Sequence, residues 1–506
     1  MPINQLKAGA ALSYVIIGLN SVIGLLYTPF MLRIMGQSEY GLYALAASVI
    51  AYLTVLDLGF GNAVIRYTAK FHAEGRIREQ QEMFGMFLVL YGVISVIAFS
   101  LGMVLYFNAD SLFSQSMTPE EVRKVRIMLM LLSFNLAFTF PMSIWGSIIT
   151  AYENFIFQRV VSIARIVLNP LVMVVFLLYG YRAITMVVVT TVFNVLTLTL
   201  NWWYCRHRLS IHVRYGRFNW KFLREVSIFS FWIFLNAIMD RIYWSTGQFV
   251  LGIFCGTAVV AVYAVAIQLQ NMYMMFSTAI SSVFLPRVTS MVSRHSSDRE
   301  ISDLFIRTGR VQYIIMAYIL TAFIVFGKAF IHLWAGPGYE DAYPITLLFF
   351  IPLTVPLIQN VGICVLQARN EMKFRSIAYV IIALASLVFS IYGAKHYGGI
   401  GCAVATALAL TAGQIVVMNI YYKRKQRLDI PRFWREIGKM SIAPLAVGAA
   451  SYYALSFVDL NRPLWFVSGA VVFTLVYLPC CWIFVMNKDE RRLVTTPLLK
   501  IKHKLP

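Results

Sequence analysis

Apolar runs long enough to cross a lipid bilayer recur along almost the whole chain. A helix needs about 20 apolar residues to span hydrocarbon, and such runs occur about fourteen times between residues 8 and 485. Of the 506 residues, 59% are hydrophobic and 13% are charged, which is more apolar surface than one soluble core can bury. The sequence therefore predicts an all-α polytopic membrane protein of about 14 transmembrane helices.

The basic residues behind the net charge of +21 are distributed unevenly between the two sides of the predicted membrane. With the N-terminus inside, the inner segments carry 33 Lys and Arg residues, whereas the outer segments carry 8. Because positive residues favour the cytoplasmic side, we expect both termini to be cytoplasmic. The basic clusters lie in short loops between spans, so we expect contact with membrane lipid and no nucleic-acid partner.

Motifs of soluble enzymes are absent from the sequence. It contains no phosphate-binding loop, no H-E-x-x-H zinc motif and no G-x-S-x-G nucleophile turn, and its six cysteines lack metal-ligand spacing. No predicted outer loop is long enough to hold a catalytic domain. We therefore expect a transporter with no catalytic residue, no metal and no cofactor, rather than an enzyme.

Ionisable residues at membrane depth are the main candidates for function, since each costs several kcal/mol unless it is paired or faces water. The candidates are Asp57, Arg165, Asp240 and Arg241 within predicted spans, and Arg33 and Arg66 near span ends. For the residues within spans the alternative is structural pairing with other helices, and for Arg33 and Arg66 it is contact of the long side chains with headgroups. If the cargo carries a diphosphate, a guanidinium fork suits it, and Arg165 and Arg241 are the first choices. Asp57 and Asp240 would then hold those cations when the cargo is absent, or titrate in proton coupling.

Two pairs of similar segments indicate an internal duplication. Segment 36–46 resembles 256–266 at an offset of 220 residues, and segment 151–157 resembles 368–374 at an offset of 217. Both offsets correspond to six predicted spans, which predicts two parallel six-helix lobes with a cavity between them. We expect an N-lobe at 1–215, a C-lobe at 216–422, and two further helices with a basic cytoplasmic tail at 423–506.

Several of these motifs together resemble a known group of transporters. They are Gly36-x-x-x-Tyr40-Gly41-x-Tyr43, Leu56-Asp57-Leu58-Gly59-Phe60-Gly61 followed by Arg66, and Ala151-Tyr152-Glu153-Asn154 with its echo Ala368-Arg369-Asn370. The chain resembles, over its whole length, the lipid-linked oligosaccharide flippases of the multidrug/oligosaccharidyl-lipid/polysaccharide exporter superfamily. The resemblance implies two six-helix lobes in a V around a central cavity, plus two C-terminal helices.

The resemblance also implies a cargo and a place of action. It implies alternating-access transfer of an undecaprenyl-diphosphate-linked oligosaccharide from the cytoplasmic to the periplasmic leaflet of a bacterial inner membrane, for surface polysaccharide such as O-antigen. The cationic residues that could recognise the diphosphate are Arg33, Arg66, Arg165 and Arg241. Polysaccharide polymerase or export proteins would be partners. Coupling to protons or to sodium is left open.

Two other functions are the alternatives to this one. A multidrug/cation antiporter of the same superfamily would need a buried carboxylate, and the first apolar run, residues 8–31, contains neither Asp nor Glu. A membrane-embedded glycosyltransferase or polymerase would need a large outer loop. The sequence therefore favours an anionic cargo.

Overall fold

The chain folds almost entirely into helices. The structure is a computed structural model that describes residues 5–216, 220–281, 284–294, 296–369, 371–492 and 495, and these contain no strand. The helices are α1 Gln5–Leu53, α2 Phe60–Ala73, α3 Ile77–Phe113, α4 Pro119–Ala151, α5 Phe155–Leu178, α6 Ala183–His207, α7 Trp220–Phe254, α8 Thr257–Ser281, α9 Leu285–Ser293, α10 Asp298–Ala335, α11 Ala342–Ile358, α12 Asn360–Ala368, α13 Met372–Leu410, α14 Met418–Arg424, α15 Ile430–Leu455 and α16 Pro463–Cys480.

The helix lengths confirm a multi-pass membrane protein. Within the described ranges, nine helical segments are long and apolar enough to cross a bilayer, and α11 with α12, bent by 45°, makes ten. The count of fourteen stays a prediction. It is reached if α7 and α15 also span, and if α1 and α13 each count twice because Gly36 (φ 76°) and Gly398 (φ 59°) interrupt them.

The described residues group into two compact units. The first unit consists of Met1–Ala264 with Leu387–Cys402, and the second consists of Val265–Ser386 with Ala403–Pro506. The lobe boundaries at residues 215 and 422 remain predictions. The basic tail from residue 496 onward and Asn370 lie outside the described residues.

Large aromatic side chains form the core between α2, α3 and α4 in the first unit. Phe60 contacts Phe87 edge-on at 5.9 Å between ring centroids, and Tyr91 stacks on Phe140 at 6.5 Å. All four rings are buried. Burying a side chain of this size away from water stabilises a fold by roughly 1.5–3 kcal/mol. Between helices that are already in lipid, the stabilisation comes from van der Waals packing instead.

The two halves of the first sequence repeat contact one another in the first unit. Gly41, in segment 36–46, lies so close to segment 256–266 that a Cβ on it would come within 1.9 Å of the Thr257 carbonyl oxygen. One turn further along α1, Leu45 packs over Gly252, where a Cβ would meet the leucine at 2.6 Å. The second half of α1 therefore packs tightly along the end of α7 and the turn into α8.

The second repeat corresponds to two helix breaks. Helix α4 ends at Ala151 and α5 begins at Phe155, and α12 ends at Ala368 before α13 begins at Met372. At the first break, the Asn154 side chain donates to the Tyr152 carbonyl at 3.0 Å. The repeated residues thus mark turns in the chain.

In the second unit, a buried arginine joins α10 to α15 and to the segment that follows α16. Arg310 Nε and Nη2 donate to the two carboxylate oxygens of Glu490 at 2.7 and 3.1 Å, and Nη1 donates to Glu436 at 2.7 Å. The Arg310 side chain is 10% exposed and that of Glu490 is 2% exposed. This bidentate pair anchors the C-terminal segment to the helices of its unit.

Candidate functional site

Asp57 stabilises a break between α1 and α2. The chain leaves α1 through a single 3₁₀ turn, and both Leu58 (φ 53°) and Gly59 (φ 72°) then adopt left-handed conformations. The Asp57 carboxylate accepts from the Tyr91 hydroxyl at 2.9 Å and faces the backbone amides of Gly59 and Gly61 at the start of α2. A carboxylate beside the free amides of a helix N-terminus is stabilised by the helix dipole. Among the described residues, the side chain that bonds to Asp57 is therefore Tyr91 and not an arginine.

Arg165 belongs to a polar cluster shared by α4, α5 and α6. Its Nη1 donates to Asn194 Oδ1 at 3.2 Å, and Asn194 Nδ2 donates to Asn135 at 2.8 Å and to Thr139 at 2.7 Å. One turn beyond Arg165, the buried Asn169 Oδ1 has no hydrogen-bond partner among the described residues. An unsatisfied amide oxygen among apolar helices is costly, so this cluster marks a place where a ligand or water would be stabilised.

Asp240 and Arg241 are neighbours on α7, and both are exposed. Adjacent positions on a helix differ by about 100°, so the two side chains leave α7 in different directions. The same helix packs against α1 further along, where the Tyr52 hydroxyl contacts Thr246 and the Tyr52 ring lies 6.5 Å from that of Phe249. The pair therefore lies on a helix that packs against α1.

Arg33 and Arg66 are exposed on α1 and α2. The Arg66 guanidinium lies 5.7 Å from the centre of the Tyr67 ring, and Arg33 precedes the break at Gly36 by one turn. Exposure agrees with either a long side chain that reaches headgroups or one that faces a water-filled path. Among the six predicted residues, Arg165 bonds to Asn194, Asp57 accepts from Tyr91, and the Arg66 guanidinium lies against the Tyr67 ring.

A second polar network lies at the predicted outer end of the first unit. The Lys124 ammonium bonds to Glu39 at 2.6 Å, and the other Glu39 oxygen accepts from the amide of Ala183, at the start of α6. Glu121 accepts from Ser38 at 2.6 Å and from the Thr257 hydroxyl at 2.7 Å. This network joins α1, α4 and α6 to the first residue of α8, beside the Gly41 contact.

Sequence reasoning missed the amide cluster and the outer network. Asn135 and Asn194 are polar residues inside apolar runs, and this pattern alone indicates polar contacts at membrane depth. Glu39 lies inside the Gly36-x-x-x-Tyr40 motif, directly after a helix break. Its partners come from distant parts of the chain, so the sequence held no sign of them.

The contacts of Asp57 lead to a prediction that separates a structural role from a coupling role. We expect Asp57→Asn to retain most activity and stability, because its amide oxygen can still accept from the Tyr91 hydroxyl. Asp57→Ala should lower the free energy of unfolding by about 1 kcal/mol, the usual net contribution of one hydrogen bond. Transport assays and thermal unfolding in detergent measure both effects. If Asp57→Asn were as inactive as Asp57→Ala while remaining folded, Asp57 would act by titration.

Comparison of sequences relates the chain to proteins of surface-polysaccharide assembly. Residues 30–344 match a family described as polysaccharide biosynthesis protein. A putative O-antigen transporter of Shigella flexneri is 17% identical over 78% of this chain and 92% of its own length. A probable flippase of Haloferax volcanii, AglR, is 20% identical over 90% of this chain and 92% of its own.

Comparison of structures relates the fold to membrane transporters. The inward closed conformation of the lipid II flippase MurJ superposes with a TM-score of 0.71 at 19% identity, covering 94% of this chain and 98% of that protein. An inward-facing multidrug transporter of the MATE family superposes with a TM-score of 0.64 at 13% identity, covering 83% and 95%. These likenesses establish the fold.

Proposed function

Since the chain belongs to the polysaccharide biosynthesis protein family and has the fold of the multidrug/oligosaccharidyl-lipid/polysaccharide superfamily, we propose that it is a flippase for a lipid-linked oligosaccharide. The relatives are named transporters and flippases, which confirms the prediction of a transporter rather than an enzyme. The proposed cargo is an undecaprenyl-diphosphate-linked oligosaccharide, moved from the cytoplasmic to the outer leaflet. The proposed topology has fourteen spans and both termini in the cytoplasm.

The observation that carries this proposal is the family match over residues 30–344, joined to a fold shared with a lipid flippase over nearly the full length of both chains. The arrangement around Arg165 supports it. A half-buried guanidinium beside neutral amides suits a diphosphate headgroup, because the amides position the cation without neutralising it. The polyprenyl chain would remain in lipid throughout the transfer.

The MATE neighbour makes a cation antiporter the second candidate. A cation site would need a carboxylate free to face the cargo. The Asp57 carboxylate already accepts a hydrogen bond from Tyr91, and the Arg165 guanidinium favours an anion. These contacts favour the lipid-linked anion.

Alternating access would require the contacts between α1 and the α7–α8 turn to separate and re-form. The backbones approach closely at Gly41, and Glu121 accepts a hydrogen bond from the Thr257 hydroxyl. Together these contacts hold α1 and α4 against the α7–α8 turn in one closed arrangement. Hydrogen bonds of this kind contribute about 1–3 kcal/mol each, which is small enough to be broken during a cycle. We propose that this contact closes the path at its outer end.

Leaflet assignment of a fluorescent lipid-linked oligosaccharide in vesicles tests the proposed function. Vesicles with the purified protein should transfer the lipid between leaflets, and protein-free vesicles should not. Proton and sodium gradients are imposed in separate arms. If the lipid stays in its original leaflet in every arm while an organic cation is exported, the antiporter replaces the flippase.

In the same assay we expect Arg241→Ala and Asp240→Ala to reduce the transfer rate by about tenfold or more, because one charge-assisted hydrogen bond contributes roughly 1.5–3 kcal/mol. Arg165→Ala should do the same. Membrane levels of each variant should match those of the wild type. Arg78→Ala, at an exposed pair with Glu82, is the matched control and should transfer normally. Wild-type rates for both Arg241→Ala and Asp240→Ala would exclude them from the path.

A further inference from the structure

The second unit contains a cavity of about 420 Å³ that the proposed path does not use. It lies between the ends of α10 and α15 and the turn into α16, and its wall includes Lys328, Tyr343, Tyr452 and Asn461. This volume falls within the roughly 300–1,000 Å³ of small-molecule sites. In the proposed topology this end of the unit faces the outer leaflet.

The wall of the cavity carries an uncompensated positive charge. The exposed Lys328 makes no hydrogen bond or ion pair with any part of the chain that the structure describes. Asp459, also in the wall, pairs with Arg462 at 3.3 Å, so its charge is compensated. The cavity therefore favours an anion.

The surroundings of the cavity are those of a membrane interface. Several large side chains beside it are exposed: Tyr453 at 70%, Phe457 at 77%, Leu464 at 79% and Trp465 at 51%. Aromatic residues concentrate at the level of lipid headgroups, where one end of the ring is in water and the other in hydrocarbon. An anion that reaches this cavity from the bilayer would thus be a lipid headgroup.

We propose that this cavity binds the phosphate headgroup of a membrane lipid in the outer leaflet. Lys328 supplies the cation and the Asn461 amide a neutral donor, while Tyr343 and Tyr452 pack against the glycerol or prenyl portion. Two sources share this chemistry: an anionic phospholipid, and the polyprenyl phosphate portion of the proposed cargo. The choice of leaflet rests on the proposed topology, whereas the site itself does not depend on transport.

Native mass spectrometry of the purified full chain tests the site without a transport assay. The protein is incubated separately with phosphatidylglycerol, phosphatidylcholine and undecaprenyl phosphate, and bound lipid is quantified. We expect selective retention of one or both of the anionic lipids over phosphatidylcholine. Retention of phosphatidylglycerol identifies a phospholipid site, and retention of undecaprenyl phosphate alone identifies a cargo site.

Three variants decide whether the cavity is responsible. Lys328→Ala should weaken retention about tenfold, which corresponds to ~1.4 kcal/mol. Ser456→Trp, which fills the cavity and keeps the lysine, should weaken it as much. Lys395→Ala, an exposed lysine of the first unit, should have no effect. Thermal unfolding midpoints check that each variant is folded. Equal retention by the wild type, Lys328→Ala and Ser456→Trp, or no preference for anionic lipids, would overturn the proposal.

Discussion

Gly41→Ala is expected to abolish transport and to lower the stability of the folded protein. The added methyl group would lie 1.9 Å from the Thr257 carbonyl oxygen, which is a backbone atom that no rotamer change can move. Helix α1 and the α7–α8 turn must then move apart, at the 1–3 kcal/mol typical of overpacking. Because alanine is favoured over glycine inside a helix by about 0.5–1 kcal/mol, any net loss must come from this contact.

Gly18→Ala is the control for Gly41→Ala, since it makes the same change on the same helix. A Cβ at Gly18 would meet nothing within 4 Å. We expect this variant to transfer lipid at the wild-type rate and to be as stable or slightly more so. Transfer rates in vesicles and unfolding midpoints in detergent are measured for both. Wild-type behaviour of Gly41→Ala would show that the two repeat segments do not need close contact.

Arg310→Ala is expected to be the most destabilising single change in the second unit. It would leave Glu490, whose side chain is 2% exposed, as a buried carboxylate without its cation. Removing one partner of a buried ion pair costs about 3–5 kcal/mol. The segment that follows α16 would be released, because Arg310 also donates to the Val485 carbonyl at 3.3 Å. A lower unfolding midpoint and protease cleavage after Arg491 or Arg492 report these effects.

Two further variants identify the cause of the Arg310 effect. Arg432→Ala removes an exposed pair with Asp303, with partners 40% and 50% exposed, and should cost less than about 1 kcal/mol. Arg310→Met combined with Glu490→Gln removes both buried charges and should recover much of the lost stability. If the double variant is no more stable than Arg310→Ala, the bidentate geometry rather than charge burial holds the C-terminal segment.

The breaks in the helices were only partly predictable from the sequence. A proline inside a helix predicts a kink, and α11 with α12 bends just after Pro356. The interruption of α1 lies at Gly36 rather than at Pro29, because glycine can adopt a positive φ that ends the helical path. The repeated motif drew attention to Gly36 and Gly41, but its similarity alone did not reveal that the two copies touch.

In the candidate site, too, the sequence indicated which residues need an explanation but not which residues they contact. Membrane depth identified Arg165 and Asp57 as ionisable residues in need of an explanation. The structure then gave them different surroundings: Arg165 bonds to an amide network from α4 and α6, whereas Asp57 accepts from Tyr91 beside the start of α2. Sequence position could not separate these roles, because the free-energy cost of a charge in lipid depends on its partners, and the sequence does not show which residues those are.

By itself, the sequence determined that the chain is a multi-pass helical membrane protein, because apolar length is a local property that the thickness of the bilayer translates into spans. It also determined the family, through the match over residues 30–344. Only the tertiary structure decided that Gly41 must lack a side chain and that the pairs Glu39–Lys124 and Glu490–Arg310 form salt bridges. Those contacts join residues far apart in the chain, and their energies depend on close packing and burial, which exist only once the helices have assembled.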